Sequence, residues 1–259
     1  MQSRVTAPSL REMKERGEKI TVLTAYDYPT AKLMDEAGVD VILVGDSVGM
    51  VVLGFENTLP VTMDMMVHHT SAVVRGTKHA LVVADMPFLS YQTSVEDAVR
   101  NAGRMLQEAG AQAVKLEGGA AALPVVKKLT GMGIPVMGHL GLIPQSVHQF
   151  GGYSIQGRGD DAALQLRQDA KALQEAGVFA IVLELVTPDL AKRISNELLI
   201  PTIGIGSGSD CDGQVQVMHD LIGYSEEFVP KHAKQYTKIA GQLKDAFRAY
   251  ISDVRSGKF

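Results

Sequence analysis

The sequence has no tryptophan, a single cysteine and no long uninterrupted apolar run. With only Cys211, an intramolecular disulfide and a metal site built from several cysteines are both excluded. No apolar stretch is long enough to span a bilayer, and the formal net charge of −4 gives no sign of binding to nucleic acid or to a membrane surface. The polar residues 1–19, which we predict to be helical, contain no signal-peptide core. These absences predict a soluble cytoplasmic protein without nucleic-acid or membrane partners.

What the sequence does contain is an alternation of short apolar segments and helical segments, in a chain of 259 residues of which 46% are hydrophobic. The predicted strands cover residues 20–24, 41–44, 80–84, 112–117, 134–137, 179–183, 201–205 and 214–218. The predicted helices that follow cover 29–37, 63–75, 94–108, 121–129, 161–176, 188–197 and 231–256. This pattern predicts one α/β domain over residues 1–259, folded as a closed (β/α)8 TIM barrel with an N-terminal helix and an extended C-terminal helix.

An open, doubly wound sheet is the alternative, although no G-x-G-x-x-G fingerprint follows the first predicted strand. Two connections, residues 48–60 and 142–159, are longer than a typical connection between a strand and a helix. Long loops in compact domains are usually functional, so we expect both to lie near a binding site.

The fourth predicted strand carries an unusual pair of charges. Lys115 and Glu117 are two residues apart, so their side chains project from the same face of the strand. Neither residue type is normally buried without a partner, and a metal ion or an anionic ligand would satisfy both. A buried pair that serves only packing is the alternative interpretation.

Further charged residues follow the other predicted strands, where the active sites of barrel enzymes lie. These residues are Asp46, Asp85, Lys115, Glu117, His139, Glu184, His219 and Asp220. Asp46, Asp85 and Glu117 end consecutive strands, and three oxygen donors without cysteine predict a Mg²⁺ site, with Ca²⁺ and Mn²⁺ also compatible. Taken singly, Asp46 could be a helix N-cap, Asp85 a turn former and His139 a hydrogen-bonded core histidine.

Glu184 follows an apolar strand two positions further around the predicted barrel. A carboxylate among apolar side chains becomes a stronger base, because desolvation disfavours its charged form. A metal-bound carbonyl next to such a base suits proton abstraction and enolate formation, and Lys115 could neutralise a substrate carboxylate or the oxyanion. The residues alone therefore predict a Mg²⁺-dependent, enolate-forming enzyme that acts on a small 2-oxo acid.

Ten motifs cover almost the whole chain. They are TAYDYPTAKL (24–33), LVGDSVGMVVLG (43–54), TLPVTMDMMVHHT (58–70), ADMPF (84–88), NAGRMLQEAGAQAVKLEGG (101–119), PVMGHLGLIPQS (135–146), GGYSIQGRG (151–159), VLELV (182–186), PTIGIGSG (201–208) and CDGQVQVMHD (211–220). Together they closely resemble the motifs of the ketopantoate (3-methyl-2-oxobutanoate) hydroxymethyltransferase family. Ser207, where the family commonly has alanine, and His232, where it commonly has an aromatic residue, are mild departures.

The resemblance implies a barrel of the phosphoenolpyruvate-binding type. It also implies transfer of a hydroxymethyl unit from 5,10-methylenetetrahydrofolate to 3-methyl-2-oxobutanoate, which gives 2-dehydropantoate in pantothenate biosynthesis. The implied Mg²⁺ ligands are Asp46, Asp85 and Glu117, and the implied substrate contacts are Asp46, Ser47, Asp85 and Lys115. Glu184 is the implied proton acceptor, with His139 as a second catalytic residue. The implied assembly is a homodecamer of two pentameric rings.

Two other classes of function remain open at this point. A Mg²⁺-dependent carbon–carbon lyase or phosphonomutase on the same barrel would use the same metal and enolate chemistry. The catalytic cysteine motif of isocitrate lyases is missing, which counts against a lyase. A barrel that serves only as a scaffold in a larger assembly is the non-enzymatic alternative.

Overall fold

Eight parallel strands pair in sequence order and close into a barrel in the computed structural model, which describes residues 4–152, 154–225 and 230–258. The strands are β1 Ile20–Thr24, β2 Val41–Val44, β3 Leu81–Asp85, β4 Ala113–Glu117, β5 Val136–Gly141, β6 Ala180–Glu184, β7 Thr202–Ile205 and β8 Gly213–Gln216. The predicted closed barrel is confirmed, and the open doubly wound sheet is excluded.

Helices connect the strands and also lie near both ends of the chain. They are α1 Ala7–Glu15, α2 Tyr28–Ala37, α3 Val48–Val51, α4 Met63–Gly76, α5 Val95–Gln107, α6 Leu123–Gly131, α7 Val147–Phe150, α8 Asp160–Glu175, α9 Pro188–Glu197, α10 Met218–Leu221 and α11 Ile239–Arg255. Across the described ranges, no helix combines the length and the apolar character that a membrane span requires.

The barrel interior changes from apolar to charged towards the carboxyl ends of the strands. Val83, Ala113, Met137 and Val182 belong to one buried apolar cluster, which Leu10 of α1 also joins. Successive side chains alternate between the two faces of a strand, so the residue two positions later shares the same face. Those residues are Asp85, Lys115, His139 and Glu184. The same alternation that builds the core therefore places these four polar side chains at one end of it.

Several predicted boundaries are wrong, and β5 is the most informative case. We predicted that this strand would end before Gly138, but it pairs with its neighbours as far as Gly141. Gly138 lies in the strand and packs close to α8, where an added Cβ would be 3.1 Å from Leu173 Cδ1 and would require that side chain to shift slightly. His139 is consequently a strand residue, and so is Asp85 at the end of β3.

One predicted helix start also needs correction. The predicted helix 231–256 begins only at Ile239, because the preceding backbone bonds elsewhere: Tyr236 N donates to Leu221 O and Ile239 N to Ile222 O. The predicted start at Ser94 is confirmed, because Ser94 caps α5 by accepting from Asp97 N at 3.1 Å. The Asp97 side chain bonds Thr93 and Arg100.

The predicted loops contain short helices. Residues 48–60 include α3, and residues 142–159 include a 3₁₀ turn at Pro144–Ser146 followed by α7. Residue 153 of the second loop lies outside the described part of the chain, as do residues 1–3, 226–229 and 259 of the predicted single domain.

The chain forms two compact units, with Val215 ending the first and Gln216 beginning the second. The first unit contains α1 and the barrel strands up to Val215, with their connecting helices. The second unit ends in α11, none of whose described side chains is buried.

Candidate active site at the carboxyl ends of the strands

The centre of the candidate site is a buried ion pair between neighbouring strands. Asp85 of β3 and Lys115 of β4 are register partners, and Lys115 Nζ lies 2.7 Å from Asp85 Oδ1. Burial alone would lower the pKa of Lys115, but the negative charges of Asp85, Glu117 and Asp46 outweigh it and raise that pKa. Burial raises the pKa of Asp85 despite the lysine. Lys115 is therefore a permanent cation in an acidic environment.

Asp46 joins this pair from the end of β2. Its backbone N–H donates to Asp85 Oδ2 at 3.0 Å, and its own Oδ2 accepts from Gln145 Nε2 at 2.9 Å. Burial, reinforced by Asp85 and Glu117, raises the pKa of Asp46 to about 8. The side chain faces the cluster and caps no helix, so the simple N-cap interpretation is wrong. Asp85 lies in a strand and does not form a turn.

His139 lies between two carboxylates. Its Nδ1 is 3.4 Å from Glu117 Oε1, and its Nε2 is 3.3 Å from Glu184 Oε2. Burial and the nearby Lys115 would lower the pKa of His139, but the two glutamates outweigh them and raise it to about 9. An imidazolium at neutral pH therefore links Glu117 of β4 to Glu184 of β6. The side chains of His139 and Glu117 are buried, whereas 15% of the Glu184 side chain is exposed.

Gln145, which the sequence did not single out, connects the acidic cluster to the loop after β5. Its Nε2 donates to Asp46 Oδ2 and to Met86 O, both at 2.9 Å. Its Oε1 accepts from Tyr91 Oη at 2.8 Å and from Gln92 Nε2 at 2.9 Å. All four hydrogen-bonding positions of this buried carboxamide are therefore occupied by protein groups.

Glu117 is held by the connection after β5, which carries Gln145, and by the connection after β3, which carries Tyr91. The backbone N–H of Gln145 donates to Glu117 Oε2 at 3.0 Å, and the Glu117 N–H donates to the Tyr91 hydroxyl at 3.1 Å. Burial alone would raise the pKa of Glu117, but His139, Lys115 and this backbone donor outweigh it and lower it. Glu117 therefore stays ionised.

Ser47 lies next to Asp46 and is oriented from the end of β1. Its hydroxyl is 2.8 Å from Tyr26 Oη, and His69 Nδ1 of α4 lies 2.7 Å from the Tyr26 carbonyl oxygen. Tyr26, like Gln145 and Tyr91, was missed by sequence reasoning, because it is a neutral residue in a connection and carries no pattern of its own. His69 therefore contacts the backbone next to this hydroxyl pair.

The donor set is chemically suited to a divalent cation. Asp46, Asp85 and Glu117 offer only oxygen donors, as Mg²⁺ prefers, and burial together with the two neighbouring carboxylates raises the pKa of Asp46. As the side chains lie, the described residues include no group of three or more His, Cys, Asp or Glu that is placed to hold a metal ion. Lys115 and Gln145 occupy carboxylate oxygens that such an ion would use.

Comparison with known proteins assigns the chain to a family. Residues 4–259 match the family described as ketopantoate hydroxymethyltransferase. A 3-methyl-2-oxobutanoate hydroxymethyltransferase of Moorella thermoacetica is 61% identical over 257 residues, which cover 99% of this chain and 96% of that protein. Relatives from Syntrophus aciditrophicus and Acetivibrio thermocellus, both 59% identical over at least 99% of this chain, have the same description.

Solved structures share the fold at much lower identity. A phosphonopyruvate hydrolase, solved with oxalate and Mg²⁺, has a TM-score of 0.62 at 14% identity, covering 97% of this chain and 87% of that one. A 2,3-dimethylmalate lyase of the PEP mutase/isocitrate lyase superfamily has a TM-score of 0.60 at 16% identity, covering 97% and 88%. These structures share the barrel fold, and the match over residues 4–259 shows that the chain belongs to the ketopantoate hydroxymethyltransferase family of enzymes.

Proposed function

We propose that this enzyme transfers a one-carbon unit from 5,10-methylenetetrahydrofolate to 3-methyl-2-oxobutanoate, forming 2-dehydropantoate in pantothenate biosynthesis. The observation that carries this proposal is the side-by-side placement of a buried lysine–carboxylate cluster and the His139–Glu184 pair. The first can bind an acidic oxo acid, and the second can remove a proton from it. The names of relatives at about 60% identity supply the substrate and the reaction class.

Asp46, Asp85 and Glu117 would hold a Mg²⁺ ion in this proposal. Such an ion would polarise the keto oxygen of the substrate and stabilise the negative charge that develops on it when the proton leaves. The lysine and amide contacts described above balance part of the carboxylate charge in the protein alone.

Lys115 and Ser47 bind and orient the oxo acid. The Lys115 ammonium is the buried cation of the cluster, so it attracts the substrate carboxylate in surroundings where solvent screening is weak. Ser47 offers a hydroxyl held by Tyr26, which restricts its orientation before the substrate arrives. Asp46 and Asp85 complete the contacts on the same side.

Glu184 removes the proton from C3 of the oxo acid. His139 holds the Glu184 carboxylate from one side, with its Nε2 3.3 Å from Glu184 Oε2, and so fixes the orientation of the base. The carbanion at C3 then forms the new carbon–carbon bond to the one-carbon unit, and water supplies the oxygen of the hydroxymethyl group. Both carbon–nitrogen bonds of that unit to the folate break, and tetrahydrofolate leaves. The proton from C3 and the two hydrogens of the water end on the product hydroxyl and on the two folate nitrogens.

A cavity of about 300 Å³ beside Glu117 offers space for part of the folate. It is lined by Tyr91, Gln92, Ser94, Val95, Glu117, Gly118, Ala121, Ala122, Pro124 and Val125.

The remaining features that the family resemblance implies, namely one barrel domain, a homodecamer of two pentameric rings and a cytoplasmic location, stay predictions. Light scattering of the purified protein tests the decamer directly.

Proton exchange without folate tests the chemical assignment. In D₂O with Mg²⁺, the wild-type enzyme should exchange the C3 proton of 3-methyl-2-oxobutanoate, as followed by the ¹H NMR signal of that proton. Glu184→Gln keeps the size of the side chain but removes the base, so exchange should fall at least about 100-fold while the oxo acid still binds.

The competing functions predict different results. A lyase would cleave a 2-hydroxy dicarboxylate without any folate, and a scaffold would bind neither Mg²⁺ nor the oxo acid stoichiometrically. Wild-type protein that neither exchanges the C3 proton nor forms product with folate would contradict the assignment.

A further inference from the structure

The side chain of Gln145 occupies the acidic cluster in a way that the proposed reaction does not require. It is buried, with 6% of its surface exposed, and it bonds Asp46 from β2 together with Met86, Tyr91 and Gln92 from the connection after β3. We propose that Gln145 is a gate to the cation site: its carboxamide and a divalent cation compete for Asp46, and the cation binds only after this hydrogen bond breaks. The inference rests on the proposed function, because it assumes the Mg²⁺ site.

The chemistry of the amide makes the two contacts exclusive. Nε2 is a donor with no free electron pair for a metal, and both of its protons are used, on Asp46 Oδ2 and on Met86 O. A cation that takes Asp46 Oδ2 as a ligand therefore displaces the amide group from that oxygen.

The orientation of the amide is fixed from its other end. Oε1 accepts from the Tyr91 hydroxyl and from Gln92 Nε2, and exchanging the positions of Nε2 and Oε1 would set two donors against Nε2 and two acceptors against Oε1. The surrounding contacts thus keep the donor side of Gln145 on Asp46. The Gln145 amide thereby takes the place of the cation at Asp46 Oδ2 until a cation displaces it.

The side chain can be tested separately from the loop that carries it. The contact between residue 145 and Glu117 runs through the backbone N–H, so truncating the side chain leaves that contact in place. Gln145→Ala removes the competitor for Asp46 and retains the donor for Glu117. Because a hydrogen bond to a charged group is stronger than a neutral one, removing this competition should tighten Mg²⁺ binding roughly 10-fold.

A gate and a support for the carboxylates predict opposite signs of coupling. If Gln145 merely holds the carboxylates in place for the ion, its loss weakens Mg²⁺ binding. If it competes with the ion, its loss strengthens binding, although the metal-free protein loses stability. Binding and stability are linked, so a variant that binds Mg²⁺ more tightly must also show a larger Mg²⁺-induced rise in Tm.

The experiment compares the full-length wild type, Gln145→Ala and Gln92→Ala after removal of metals with a chelator. Isothermal titration calorimetry gives the Mg²⁺ dissociation constant, and thermal denaturation gives the Tm with and without Mg²⁺. Gln92→Ala is the matched control, because it removes a contact to Oε1 but leaves the Asp46 contact in place. Gln145→Met, which preserves the side-chain volume, replaces Gln145→Ala if the smaller variant does not fold.

We expect a lower Tm for Gln145→Ala without Mg²⁺, a roughly 10-fold lower dissociation constant and a larger Mg²⁺-induced rise in Tm than for the wild type. The control should stay within about 3-fold of the wild-type dissociation constant. Equal or weaker Mg²⁺ binding by the variant, with normal binding by the wild type, overturns the gate alone. If no protein binds Mg²⁺, the gate and the metal part of the proposed function are both wrong.

Discussion

Replacing Lys115 by methionine tests whether its charge balances the acidic cluster. The substitution keeps an unbranched side chain of similar length but removes the cation that lies 2.7 Å from Asp85 Oδ1. Both side chains are at most 5% exposed, so water cannot replace the lost ammonium. Asp85 is then left as a buried carboxylate near Asp46 and Glu117, and among the described residues the backbone N–H of Asp46 still donates to it.

Removal of one partner from a buried ion pair costs about 3–5 kcal/mol. In Lys115→Met the cost has an upper limit, because Asp85 can take up a proton once its pKa has risen further. We therefore expect a loss of about 3 kcal/mol in the free energy of unfolding at pH 8. For a chain of this size that corresponds to roughly 6–9 °C in Tm.

The sign of the pH dependence follows from the raised pKa. When the folded pKa of a carboxyl exceeds its unfolded value, the folded state binds the extra proton, and stability falls as the pH rises through that interval. The deficit of Lys115→Met relative to the wild type should therefore be smaller at pH 5 than at pH 8. Adding Asp85→Asn removes the second charge and should recover more than half of the loss, because the asparagine oxygen can still accept from Asp46 N.

Urea denaturation followed by circular dichroism, with chelator present, measures these differences. Lys171→Met is the matched control, because Lys171 pairs with Glu175 at 4.0 Å with both side chains more than 60% exposed, and its loss should change stability by at most about 0.5 kcal/mol. A deficit for Lys115→Met below about 1 kcal/mol at pH 8, or one that does not grow with pH, would refute the electrostatic account of the cluster.

The remaining predictions concern His139 and the backbone beside Glu184. Because the folded pKa of His139 is raised to about 9, its stabilising contribution is complete below about pH 6.5 and is lost as the pH rises through 9. The free energy of unfolding from urea denaturation should therefore fall less between pH 6.5 and pH 9.5 for His139→Gln than for the wild type. An equal fall in both proteins would contradict a charged His139 at neutral pH. Gly141 has φ +93°, and a Cβ there would lie 2.2 Å from the Glu184 carbonyl oxygen, so Gly141→Ala should cost more than about 2 kcal/mol. Gly151→Ala, with φ +68° and open space, should cost only about 1 kcal/mol in the same assay.

The sequence predicted the barrel and its charged end because both depend on local periodicity. Once the strands are located, the alternation of faces carries Val83 to Asp85 and Val182 to Glu184 without any knowledge of the helices. Boundaries depend on packing partners elsewhere in the chain, which explains the error at β5. Glycine is common in turns, so Gly138 suggested the end of a strand. Its close approach to Leu173 becomes visible only in the folded structure.

A neutral residue gives no such signal before folding. Lys115 and Glu117 stand out because a charge in an apolar strand needs a partner, whereas a glutamine in a polar loop needs none. The environment of Gln145 comes from residues that are 99, 59 and 54 positions away in the chain, namely Asp46, Met86 and Tyr91. Sequence therefore predicts which charges meet at the rim of the barrel but not the neutral groups that fix their spacing. If these neutral contacts control when Asp46 becomes available to a cation, the control of the site lies in residues that a search for charged residues cannot find.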